Sequence, residues 1–215
     1  MSAPVAAIVP AAGRSTRMGR PKLVLGLGSE SVIQRVVRAL RQGGAEPVLV
    51  VAPVRTKPGA IELADQARRE GARVFHCPEP TPDMRATVCV GLAALRETGR
   101  PPAGLLLAPG DCPGLRPELV ARVMAQFRDD PTRLVVPVYQ GKRGHPLALP
   151  WALAAAIPEL PEGTGVKALL DQYPERLREL PVADRGAVSD LDTPEDYRRW
   201  TSTTDTRTPT ADGGP

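Results

Sequence analysis

Four cations crowd the start of this 215-residue chain: Arg14, Arg17, Arg20 and Lys22. No acidic residue precedes Glu30, so this stretch alone accounts for the formal net charge of +4. The cations follow an apolar run, Val5–Val9, and the small residues Ala11, Ala12 and Gly13. Backbone N–H groups and cations that converge where side chains are small make a place to hold phosphate. Arg17 suits a bidentate grip on phosphate oxygens, and Lys22 suits a point charge beside a reacting phosphoryl group. Arg14 adds charge, Arg20 reads as solvated, and Met18 as the residue that packs the loop down.

Carboxylates that could complement such a loop lie far along the chain. Asp111 follows the apolar run Gly104–Ala108 and is either a helix N-cap or a metal ligand. Pro113 and Gly114 separate it from the helix expected near Arg116, which makes capping awkward and favours the ligand. Mg²⁺ takes one or two carboxylates together with phosphate oxygens, so Asp111 needs one partner at most. Asp190 and Asp192 compete for that place, because residues two apart in extended chain face the same side. The string Asp192-Thr-Pro-Glu195 also reads as a helix start. Asp190 is therefore assigned to the metal and Asp192 mainly to the cap.

The elements that must bring these groups together alternate in type. Buried strands are expected at Val5–Val9, Pro47–Ala52, Ala72–His76, Gly104–Ala108 and Leu134–Tyr139. Helices are expected up to Leu40 from a Ser29 or Ser31 cap, and over Ile61–Glu70, Met84–Arg96 and from Pro117 to Phe127. The alternation then loosens into a turn around Gly141–His145 and a strand at Pro146–Leu149. Helices follow near Trp151–Ile157 and Val166–Gln172, then strands near Leu177–Pro181 and Ala187–Ser189, and a helix from Pro194. This pattern predicts an α/β fold: three layers, a mostly parallel sheet with helices on both faces, and ligands beyond the carboxyl ends of its strands. Residues 1–200 read as a single domain, and 201–215, which lack any hydrophobic pattern, as a disordered tail.

Composition excludes several classes. Only 3% of residues are aromatic and the positive excess is confined to one loop, which argues against nucleic acid as partner. Cys77, Cys89 and Cys112 form no C-x-x-C pair, so neither a zinc cage nor a disulfide framework is expected, and a reducing cytoplasm is. The N-terminal apolar run is too short for a signal peptide, and no segment approaches the roughly 20 apolar residues of a membrane helix.

Two common phosphate loops do not fit. Walker A needs G-x-x-x-x-G-K-[ST], whereas five residues separate Gly13 from Gly19 and Lys22 lies three further on. The dinucleotide fingerprint G-x-G-x-x-G does not occur. Ala11-Ala-Gly-Arg-Ser-Thr-Arg-Met-Gly19 with Pro21-Lys22 instead resembles the [A/G]-A-G-x-x-x-R-M-G-x-x-K signature of nucleotidyltransferases with a GT-A-like, Rossmann-like fold. Within them the chain is similar to the MobA-like group and its molybdenum cofactor cytidylyltransferases. Gly110-Asp-Cys-Pro113, Gly144-His-Pro146 and Asp190-Leu-Asp-Thr-Pro-Glu-Asp196 match three further family motifs, G-D-x-P, G-H-P and D-[IL]-D-T-P-E-D, in the same order.

The resemblance implies an Mg²⁺-dependent transfer of NMP from an NTP, CTP first, to a phosphorylated small molecule, molybdopterin first, with release of pyrophosphate. It puts the nucleotide over Ala11, Ala12, Gly13, Arg14 and Ser15, with Arg17, Lys22 and Asp111 catalytic and Asp111 and Asp190 on the metal. Met84 and Thr87 lie where relatives carry a Gly-Met-x-Ser-Ser segment near the nucleotide, although Asp83 and Ala86 depart from it. His145 and Arg143 are assigned to the acceptor, and a transient contact with a molybdoenzyme or its chaperone follows. Cys112 replaces a glutamine, and Pro10 a leucine, which leaves the acceptor open. Sugar, polyol or lactate phosphates are alternatives, as is a non-catalytic nucleotide- or cofactor-binding chaperone.

Overall fold

A computed structural model describes residues 4–13, 21–97, 99 and 101–204. Arg14, Ser15, Arg17, Met18 and Arg20 lie outside the described residues.

The sheet begins with β1 (Val5–Pro10), β4 (Val48–Ala52), β5 (Arg73–His76) and β6 (Gly104–Leu107), separated by α1 (Val32–Gln42), α2 (Ala60–Arg69) and α3 (Met84–Arg96). A small antiparallel ribbon, β2 (Gly26–Leu27) with β3 (Glu30–Ser31), precedes α1. Ser31 starts α1 through a capping box: its hydroxyl accepts from the Gln34 N–H, and the Gln34 side chain accepts from the Ser31 N–H. The second half adds α4 (Pro117–Asp129), β7 (Leu134–Tyr139), β8 (Lys142–Arg143), β9 (Leu147–Pro150), α5 (Trp151–Ala155), α6 (Ala168–Gln172), β10 (Leu177–Pro181) and α7 (Pro194–Thr204).

The large sheet has eight strands in the order β10-β7-β9-β6-β1-β4-β5, with β8 paired to β7. β1, β4, β5 and β6 are mutually parallel, as are β7 and β10, while β9 runs antiparallel between β6 and β7. Alternate residues of β1 feed opposite cores. Val5, Ala7 and Val9 join the layer of α1, α2 and α4, and Ala6 and Ile8 join that of α3, α5 and α6. That two-sided burial explains why the strand reads as continuously apolar.

From β1 the chain winds outward to β4 and β5, then returns to β6 on the other side of β1. The strand order therefore reverses between β1 and β6, and in open α/β sheets the crevice at such a reversal takes the ligand. The expected phosphate loop leaves β1 there, and Asp111 follows β6.

Two expectations need correction. Ala187–Ser189 is not a strand, because Arg185–Val188 forms a 3₁₀ turn. The Asp184 carboxylate accepts from the Gly186 N–H at 2.8 Å, and the Ala187 carbonyl accepts from the His145 N–H at 2.7 Å, so the segment bends instead of joining a ladder. Asp192 does not cap the last helix, as described below. That helix runs through Thr204, into the stretch expected to be a tail, of which 205–215 lie outside the described residues.

The 185–188 turn is pressed onto the loop after β6. A Cβ on Gly186 would stand 2.0 Å from the Gly114 carbonyl oxygen. Gly186→Ala is therefore expected to lower stability by about 1–3 kcal/mol in urea denaturation, the usual cost of overpacking. Gly165→Ala meets nothing within 4 Å, and its midpoint is expected to stay close to that of the parent.

Candidate active site

Lys22 opens a single 3₁₀ turn, Lys22–Val24, whose Leu23 is buried. Gly110 makes room for it, since a Cβ there would lie 3.1 Å from the Leu23 Cδ1. This packing sets Lys22 beside the loop after β6. Its ammonium donates to Asp111 Oδ2 at 2.6 Å and to Asp192 Oδ1 at 2.9 Å. Burial works against the charge on Lys22, but the two carboxylates outweigh it and hold the ammonium above its ordinary value.

The carboxylates are fixed by main chain. The Leu191 N–H donates to the Asp111 carbonyl at 2.8 Å, which ties the 190–192 segment to the β6 loop. Arg116 pairs with Asp184 at 2.7 Å, and Gly114 abuts Gly186. Asp190 faces Cys112, whose S–H donates to Asp190 Oδ1 at 3.1 Å, with Asp111 Oδ1 4.0 Å from the same sulfur. Burial, then the charges of Asp190 and Asp111, push the Cys112 thiol well above its usual value, so it is neutral at pH 7. Asp111 and Asp190 thus lie on either side of one neutral sulfur.

His145 sits against the 185–188 turn. Gly144 allows this, because a Cβ there would be 2.2 Å from the Ala187 oxygen. Burial lowers the affinity of His145 for a proton; Asp190 pulls the other way, and Lys167 reinforces burial. Its imidazole is accordingly neutral at pH 7. It borders a cavity of about 950 Å³ whose lining includes Met84, Leu107, Pro109, Leu147 and Lys167.

The other assigned residues that are described take the following places. Ala11 and Ala12 are buried, whereas Gly13 has no atom within 4 Å of where a Cβ would be. Met84 is half-exposed and lines the His145 cavity. Thr87 is 1% exposed, and its hydroxyl bonds the Asp83 carbonyl at 3.1 Å and the Thr81 hydroxyl at 2.8 Å, so it presents nothing to a ligand. Arg143 is engaged by Glu179 at 2.8 Å and Asp171 at 3.6 Å.

Lys57 was not singled out by sequence. It donates to the carbonyls of Ala12 at 3.3 Å and Gly13 at 2.8 Å from the loop after β4. Gly59, at φ 78°, packs on Pro21 just before Lys22. The signal available was its place after a central strand, at the same sheet edge. Lys167 was also missed, because its helix is short and carries no motif.

Three comparisons bear on this arrangement. A mostly parallel sheet with a lysine and aspartates meeting at its strand-order reversal suits a nucleotidyltransferase. The family model of the MobA-like NTP transferase domain matches residues 7–177, and the chain belongs to that family. A molybdenum cofactor guanylyltransferase of Rhizobium meliloti is 28% identical over 206 residues, 90% of this chain and 88% of that protein. A probable molybdenum cofactor guanylyltransferase of Opitutus terrae is 53% identical over 47 residues, which span 22% of this chain and 23% of that protein. Among solved structures, Rv0371c of Mycobacterium tuberculosis superposes with a TM-score of 0.76 at 24% identity, covering 94% of this chain and 99% of that one. A CMP:2-keto-3-deoxy-manno-octonic acid synthetase complexed with CTP superposes at 0.70 with 16% identity, covering 95% of this chain and all of that one. No helix of the described residues is long and apolar enough to cross a membrane.

The helix that follows the second carboxylate pair is capped by Thr193, not Asp192. The Thr193 hydroxyl accepts from the Asp196 N–H at 3.1 Å, and Asp196 Oδ2 accepts from the Thr193 and Asp192 N–H groups at 2.9 and 3.2 Å. Burial alone would raise the Asp196 carboxyl, but these hydrogen bonds outweigh it and hold it below the usual range. A depressed folded value contributes stability above the unfolded carboxylate range, near pH 4, and loses it as pH falls through the folded value. Asp196→Ala is expected to cost about 0.5–2 kcal/mol in thermal denaturation at pH 7. The difference from the parent is expected to shrink steadily as the scan is repeated below pH 4.

Proposed function

We propose that the chain transfers CMP from CTP to the phosphate of a molybdopterin-type cofactor. An acceptor phosphate oxygen attacks the α-phosphorus, a new P–O bond forms, the α–β bond breaks, and pyrophosphate leaves in line. The observation that carries this reading is the ammonium of Lys22 held between Asp111 and Asp192 at the sheet reversal. A cation poised there can pass from carboxylate to triphosphate oxygens as negative charge spreads, which is electrostatic stabilisation without a general base. The attacking phosphate is already ionised near pH 7, and a neutral His145 suits hydrogen bonding to an acceptor better than proton abstraction.

Arg17 is assigned to the triphosphate with Lys22, and Gly13, Arg14 and Ser15 to the nucleotide, with Lys57 tethering the Ala12 and Gly13 carbonyls. His145 and Lys167 are assigned to the acceptor; Arg143, engaged by two acids, serves it through charge alone. Asp111 and Asp190 suit Mg²⁺, which when bound supplies a divalent charge to the phosphate oxygens. GTP is the second reading, favoured by the guanylyltransferase names of the two sequence relatives.

The test is pyrophosphate release with Mg²⁺ and each of the four NTPs, offered molybdopterin or a panel of sugar, polyol and lactate phosphates. Turnover is expected with CTP and molybdopterin. Turnover with GTP alone would reassign the base, and none with any pair would leave a binding protein. Asp111→Asn and Lys22→Gln are each expected to lower kcat by about 10²-fold or more with circular dichroism unchanged. Lys57→Ala is expected to act mainly on the KM for the nucleotide.

A further inference from the structure

The sequence offers no local zinc pattern, yet folding assembles three different ligand types in one place. The Cys112 sulfur, an imidazole nitrogen of His145 and a carboxylate oxygen of Asp190 lie within 4.8 Å of one another. They come from three separate segments, the β6 loop, the turn before β9 and the stretch before α7. Among the described residues, the buried Nδ1 of His145 has no hydrogen-bond partner. A buried polar nitrogen without a partner is costly, so it points to a missing ligand.

We propose that Cys112, His145 and Asp190 form a binding site for a borderline-soft divalent cation, Zn²⁺ being the fitting ion. Thiolate, imidazole and carboxylate together select zinc over magnesium, which has little affinity for sulfur. Ligand bonds of about 2.0–2.3 Å put tetrahedral ligands roughly 3.3–3.8 Å apart. Cys112 and Asp190 are already 3.1 Å apart, and with all three ligand atoms within 4.8 Å of one another, closure around an ion draws them together only slightly. On binding, the sulfur–metal bond forms and the thiol proton, now shared with Asp190, leaves to solvent. Three protein ligands leave a fourth position open, and because His145 borders the cavity, that position is filled from the cavity by water or by a substrate heteroatom.

This site differs in chemistry from the hard-cation pair Asp111 and Asp190, although Asp190 serves both. Its test is independent of turnover. The reduced full-length protein is titrated with Co²⁺, whose thiolate complexes give a near-ultraviolet charge-transfer band and intense visible bands when tetrahedral. One equivalent of Co²⁺ is expected to give both, and one equivalent of Zn²⁺ to erase them, whereas excess Mg²⁺ leaves them in place. Cys112→Ser is expected to abolish the charge-transfer band with Cys77 and Cys89 still present, and His145→Gln to weaken Co²⁺ binding at least tenfold. A band of equal strength in Cys112→Ser, or none in the parent, overturns the proposal. Absence of Mg²⁺-supported turnover would instead count against nucleotidyl transfer and leave the Co²⁺ spectrum unaltered.

Discussion

The arrangement depends on one problem of electrostatics. Asp111, Asp190 and Asp192 are gathered at one edge of the sheet, and like charges a few ångströms apart repel by about 4 kcal/mol where the effective dielectric is near 20. The ammonium of Lys22 offsets this by bonding two of them at once. Cys112 offsets more of it by donating to the third while remaining uncharged. The site is thus folded around a cation of its own, and the turn at Lys22 and the segment before α7, 170 residues apart, are joined through it.

Cation and carboxylates have unequal supports. Lys22 rides on a short 3₁₀ turn whose hold is the packing of Leu23 against Gly110 and of Pro21 against Gly59. The aspartates belong to segments stitched by backbone hydrogen bonds and glycine contacts. The lysine side is therefore the more adaptable partner. The cavity side has another character again: β9 enters against the direction of its neighbours, and its preceding turn carries His145 towards the cavity.

Much of this was legible in sequence because it rests on local rules. Continuous apolar runs gave the central strands, and Met84–Arg96, Leu134–Tyr139 and Leu177–Pro181 have the bounds that pattern indicated. Lys22, Asp111 and Asp190 stood out through motif and charge. What escaped depends on contacts between distant segments. Asp192 and Thr193 both suit a helix start, and the pull of Lys22, invisible from spacing, draws Asp192 away and leaves the cap to Thr193. Ala187–Ser189 has strand-like composition, but the His145 N–H, given room by the bare Gly144, intercepts the Ala187 carbonyl. Lys57 looks like any surface lysine until β4 is placed beside β1. Arg143 looks available until β10 and α6 bring Glu179 and Asp171 to it.

The contact between Gly114 and Gly186 carries a consequence for how such a protein can be retooled. Two bare stretches of main chain touch there, so the gap between the loops bearing Asp111 and Asp190 is gauged by backbone thickness. Side chains around the cavity can be exchanged for larger, smaller or differently charged ones without resetting that gauge. A change at either glycine moves the gauge itself, and with it every group that must meet across the reacting phosphorus. Variation in the choice of acceptor and constancy in the chemistry are thereby assigned to different parts of one chain.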